Sequence, residues 1–104
     1  MLLRHATLAR NLNSILKRGL LTRYAKGKMP AVWACCPDKT WWAVIHIVKR
    51  HGGRVETAVV LEVDVPRSWL RKHRSGLWYC PRDIPAQRIK RVLTFQELAA
   101  QPAA

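Results

Sequence analysis

Two short basic runs carry the most obvious chemistry of this chain, Arg71-Lys72-His73-Arg74 and Arg88-Ile89-Lys90-Arg91. Trp69, Trp78 and Tyr79 stand near them. The planar fork of arginine grips phosphate bidentately, and aromatic faces stack on bases. Such runs can line a groove for phosphate and base, or they can be a solvated face. Near the other end, Leu2-Leu3-Arg4-His5 is followed by Thr7. A histidine at a strand end can donate to a hydroxyl, or it can simply complete a turn. In between, Lys39-Thr40-Trp41-Trp42 sets a cation and a hydroxyl beside two indoles. The indoles can stack on a ligand or pack in a core. Cys35, Cys36 and Cys80 make an odd count with an adjacent pair. A disulfide framework is not expected, and a reducing cytoplasm fits. There is no C-x2-C, and His5, His46, His51 and His73 are scattered, so no metal site is expected.

The 104 residues carry a net charge of +13, with nineteen Lys and Arg against six acids. That excess favours polyanionic partners, RNA or DNA first. The apolar content argues against disorder. No apolar run approaches the roughly 20 residues of a membrane-spanning helix, so no membrane span is expected. No acid precedes Asp38, while seven Lys or Arg do. A mitochondrial presequence has that composition. However, Asn11, Asn13 and Gly19 would weaken a free amphipathic helix. The segment has the punctuation of a folded strand and helix, and it is kept in the domain.

Apolar spacing and turn residues mark the elements that must hold these side chains. Residues 2–5 form a first strand, with Thr7 as N-cap of a helix whose stripe is Leu8, Leu12, Ile15 and Leu16. Gly19 ends that helix. Residues 20–30 form a basic connector, and 31–35 a second strand. Asp38 caps a second helix with Trp41, Ile45 and Val48 on its buried stripe, ended by Gly52-Gly53. Residues 57–65 are the clearest strand, Val59, Leu61 and Val63 on one face and Ala58, Val60 and Glu62 on the other. A basic turn or short helix spans 67–76, strands follow at 77–80 and 89–93, and 94–104 forms a short helical tail. With no repeat and no linker, residues 1–104 read as one α+β domain, its core at about 2–93.

Three pieces then line up. The first is H-x-T followed by N-L-x-S-I-L-K-x-G-L, from His5 to Leu20. The second is V-W-A-C-C-P-D-K-T-W-W-A, from Val32 to Ala43. The third is V-V-L-E-V-D-V-P, then R-S-G-L-W-Y-C-P-R-D-I-P-A-Q-R-I, from Arg74 to Ile89. Their order resembles the ADP-ribosyltransferase-like fold, shared by ADP-ribosyl transferases and NAD-dependent RNA 2'-phosphotransferases. The resemblance covers about residues 2–93. It implies a split, curved antiparallel sheet with NAD, as a substrate, in the cleft. It also implies that His5 bonds the nicotinamide ribose, with Ala6 and Thr7 beside it. Thr40 and Trp42 take the place of the small hydroxyl residue and of the aromatic that stacks on nicotinamide. Tyr79 is a second candidate for that contact, and Arg4, Arg71 and Arg74 are candidates for phosphates. His5 and Arg74 are the candidate catalytic pair.

The third piece departs from the family. Many members place a glutamate where Leu77 or Trp78 stands here. Glu62 and Asp64 lie on the preceding strand and are expected to be structural, and Asp83 is a distant substitute. The phosphotransferase branch does not use that glutamate, but it carries an additional N-terminal lobe that is not expected among these 104 residues. Two functions follow as expectations. One is an NAD-using transferase acting on nucleic acid, by ADP-ribosylation or by 2'-phosphate transfer. The other is a non-catalytic nucleic-acid-binding module. A small partner of an acidic protein is a third reading that the charge alone allows.

Overall fold

The structure, a computed structural model, describes residues 1–25 and 29–100. Part of the basic connector and the last four residues of the tail therefore lie outside the described residues. Six strands form one antiparallel sheet: β1 (Leu2–Leu8), β2 (Val32–Cys35), β3 (Ala58–Asp64), β4 (Arg71–Arg74), β5 (Leu77–Cys80) and β6 (Ile89–Thr94). Their spatial order is β4-β5-β2-β1-β3-β6. The helices are α1 (Leu12–Arg18), α2 (Thr40–His51) and α3 (Phe95–Ala100). No helix among the described residues is long and apolar enough to cross a membrane.

β3 organises the sheet. Its alternating apolar residues are buried on both faces, so it sits between two cores. Leu61 and Val63 pack with Leu3, Leu70, Trp78 and Ile84 under the Leu12 and Ile15 side of α1. Ala58 and Val60 pack with Val44 and Val48 of α2, Leu93 of β6 and Leu98 of α3. A fully buried Leu or Val contributes about 1.5–3 kcal/mol relative to exposure. Leu98 extends the core beyond residue 93.

Four expectations are corrected here. First, Thr7 does not cap a helix. β1 runs on to Leu8, pairing with β3 at each residue from Leu2 to Leu8. Thr7 and Leu8 are buried in that strand. The ladder holds both residues, and α1 starts only after a 3-10 turn at Ala9–Asn11. Leu16 is left exposed.

Second, Asp38 sits in a 3-10 turn, Pro37–Lys39, and makes no capping bond. Third, α2 is rotated from the expected stripe. Thr40, Val44 and Val48 are buried, while Trp41, Trp42 and Ile45 are exposed. Small β-branched side chains let the helix approach β1 and β3 closely, and the bulky indoles turn outwards. Fourth, residues 71–74 are neither turn nor helix. They form an edge strand paired with β5, and an exposed run of basic residues suits such an edge.

Gly19 and Gly52 end α1 and α2 with positive φ. Directly after Gly19, Leu20 and Ile84 exchange two backbone bonds of 2.9 Å, which ties the end of α1 to the segment before β6.

Candidate functional site

The junction between β1 and β2 positions the candidate site. These strands pair at one position, Arg4 opposite Cys35. Beyond Arg4 the β2-facing edge of β1 has no strand partner among the described residues. His5 lies at that point. Its Nδ1 is 2.6 Å from the Trp33 carbonyl oxygen. A carbonyl only accepts, so Nδ1 carries the proton and donates. In the neutral ring Nε2 is then an acceptor. His5 is thus set to accept from a hydroxyl, whereas the sequence suggested donation. Burial lowers its pKa below the ordinary 6.5, against the opposing effect of the Trp33 carbonyl.

Trp33 was missed in the sequence. On β2 the buried residues are Val32, Ala34 and Cys35, and Trp33 is 40 % exposed. It is opposite Tyr79, which is opposite Arg71. Directly paired residues share a face, so all three project from the same side of the sheet. Pairing slips between Lys72 and Arg74, which leaves His73 as the extra residue of a bulge. The His73 ring meets Trp33 edge-on at 5.1 Å, and Tyr79 lies 5.2 Å from Trp33, tilted by 41°. A tryptophan between two buried residues of a short strand was the available signal.

Arg74 donates to His73 Nε2 at 3.3 Å, and it lines a shallow cavity of about 210 Å³ with Lys39, Trp42, Ser75 and Leu77. Trp42 is half exposed and stacks on His46, with centroids 5.2 Å apart and planes 10° from parallel. Arg74, Trp42 and Lys39 are therefore brought together, and Tyr79 joins Trp33.

Other expected residues are placed elsewhere. Arg4 is occupied within the fold. Its Nε and Nη2 both donate to Glu62 Oε2 at 3.3 Å, and its Nη1 donates to Thr40 Oγ1 at 3.0 Å. It is not free to bind phosphate, because the carboxylate directly across the strand pair claims it. Thr40 is buried, and its hydroxyl donates to the Pro37 carbonyl at 2.6 Å. Its single proton is therefore committed inside the protein. Ala6 packs its side chain against the α2 core, so only its backbone can serve the β1 edge. Thr7 is buried further along the same strand. Arg71 donates to the carbonyls of Ser68 and Leu70 at 3.2 and 3.0 Å.

The expected structural acids are held. Glu62 also pairs with Arg91 at 3.7 Å, and Asp64 meets the Met1 amino group at 3.2 Å. Asp83 accepts from the Thr22 N–H and hydroxyl. β2, β4 and β5 contain no acid. Burial pushes the Cys35 thiol up to about 11 and also raises Cys80, so neither is a thiolate nucleophile near neutral pH. No three His, Cys, Asp or Glu among the described residues cluster as metal ligands.

No protein-family model matches this chain. No curated protein matches it either.

Proposed function

We propose that this chain is an NAD-using transferase of the ADP-ribosyltransferase-like fold that acts on nucleic acid in a reducing cytoplasm. One observation carries the reading. His5 is fixed by the Trp33 carbonyl where β1 and β2 part, and the ring of the same Trp33 clusters with those of His73 and Tyr79. The Nε2 lone pair accepts from a ribose hydroxyl. The unpaired edge of β1 offers backbone groups to the carboxamide, and the exposed rings offer a stacking face to nicotinamide. Arg74 and Lys39 supply charge for the pyrophosphate. In the reaction the bond from ribose to nicotinamide breaks, and nicotinamide leaves with the bonding pair. An acceptor oxygen, from a hydroxyl or a 2'-phosphate, forms the new bond to the same carbon. A hydroxyl acceptor releases its proton to solvent.

A second reading, a nucleic-acid-binding module without catalysis, is favoured by a different observation. The strands around the rings hold no carboxylate, and Glu62 is paired with Arg4 and Arg91. An oxocarbenium-like centre there lacks the anionic support that many ADP-ribosyl transferases use.

Calorimetric titration of NAD into the wild type, His5→Ala and Trp33→Leu tests the proposal. Binding that weakens at least tenfold in both variants is expected. No binding to the wild type at millimolar NAD rejects the transferase and leaves the module.

A further inference from the structure

A second group of side chains lies within residues 67–88, where three arginines rest on two indoles that pack in one core cluster. The Arg82 guanidinium stands 3.6 Å above the Trp69 ring centroid, and that of Arg88 stands 5.3 Å from the same ring. Arg67 lies 4.6 Å over Trp78. Trp69 is half-buried against the core, and Trp78 is buried. The indoles are therefore fixed, and the guanidiniums resting on them are partly ordered before any ligand arrives.

None of the three arginines reaches a carboxylate among the described residues, where Arg4 and Arg91 alone of the Lys and Arg side chains do so. The nearest acid in sequence, Asp83, is held by Thr22. Arg67 makes one long bond of 3.5 Å to the Leu70 carbonyl. A guanidinium lying on an indole keeps its N–H donors at the ring edge, where a phosphate can take two at once. We propose that Arg67, Arg82 and Arg88 bind the phosphates of a nucleic-acid strand.

The partner follows from what the surface offers and what it lacks. The charge calls for a polyanion. Stable attachment to a lipid surface by such a patch also uses inserted apolar groups. All the large exposed apolar side chains lie outside residues 67–91. The Trp69 ring is already occupied by guanidiniums, so bases do not stack on it. The surface therefore grips backbone without reading sequence. The proposal rests on the transferase reading only in making this strand the acceptor; the binding itself stands without NAD.

The test is fluorescence anisotropy of a labelled single-stranded RNA, titrated at several salt concentrations. The wild type is compared with the triple variant Arg67→Gln/Arg82→Gln/Arg88→Gln. A control triple, Arg10→Gln/Lys17→Gln/Arg18→Gln, removes the same charge from exposed positions in the turn before α1 and in its last turn. The first triple is expected to weaken binding at least tenfold and to reduce the slope of log K against log salt by about 2, at roughly 0.7 per phosphate contact on a single strand. The control leaves the slope unchanged. If the first triple does not fold, Arg82→Gln and Arg88→Gln singly should each lower the slope by about 0.7. Equal effects of the two triples would mean that only net charge matters, and would overturn the proposal. So would no binding of the wild type to RNA, or tighter binding to phosphatidylserine-rich vesicles or an acidic peptide. NAD titration of the same proteins separates the two claims. RNA binding without NAD binding keeps this surface and removes the transferase; NAD binding without RNA binding does the reverse.

Discussion

His5 and Trp33 are joined across the parting of two strands, the imidazole Nδ1–H donating to the Trp33 carbonyl at 2.6 Å. The bond does two things. It satisfies a backbone acceptor near the end of the β1–β2 pairing, and it fixes the histidine tautomer. Burial, not this bond, favours the neutral ring, in which Nε2 accepts. The same residue links the β1 edge to the exposed aromatic face of β2 and β5.

That relationship makes stability depend on pH in one direction. In the unfolded chain His5 titrates near 6.5, and in the fold it titrates lower. Between those two values the unfolded chain binds more protons, so folding weakens as pH falls through the window. The contribution is fully present above about pH 6.5 and declines as pH drops through the folded pKa. Urea midpoints measured between about pH 8 and pH 5 should fall further for wild type than for His5→Gln. Parallel curves for the two proteins would show that His5 accepts its proton without loss.

The Arg4–Glu62 pair should behave as a buried ion pair, and Arg91–Glu62 as a surface one. Side-chain exposure is 13 % for Arg4 and 12 % for Glu62, against 53 % for Arg91. Glu62→Gln leaves the Arg4 guanidinium under-paired inside the sheet and should destabilise by about 3 kcal/mol. Arg91→Gln should change stability by less than about 1 kcal/mol. Denaturant titrations of the two variants check this, and equal losses would refute the distinction.

Gly19 should tolerate no side chain. Its φ is +84°, and a Cβ there would collide with the Ile84 carbonyl and lie 2.9 Å from the Ala86 nitrogen. Gly19→Ala should lose about 2 kcal/mol or more, since it adds backbone strain to a backbone clash. A thermal melt within a degree or two of wild type would contradict the close approach of α1 to the Ile84 segment.

Several features were legible because they are local. Alternation alone located β3 and its two faces, the apolar residues of 89–93 located β6, and Gly19 and Gly52 marked the helix ends. The placement of Trp42 beside Arg74 agrees with the expectation that it was the more accessible indole, though the reason differs, since Trp41 is exposed as well. Thr7 misled because a hydroxyl before an apolar periodic run has the form of a cap, while pairing to β3 decided the matter. The run 71–74 misled because four polar residues have no apolar periodicity from which a strand can be read.

By itself the sequence determined the charge, the order of the helices and of every strand except the edge strand at 71–74, the α+β class and the apolar alternation that builds the central strand. These depend on residue types and on short spacings along the chain. Only the tertiary structure decided which face of α2 is buried, that Arg4 belongs to Glu62, and that Trp33 rather than Trp69 or Trp78 offers an exposed ring. Each of these depends on a partner distant in sequence: Glu62 is 58 residues from Arg4, and Trp33 is 28 from His5. A side chain's chemistry is set by its type, but its availability is set by what the fold brings against it.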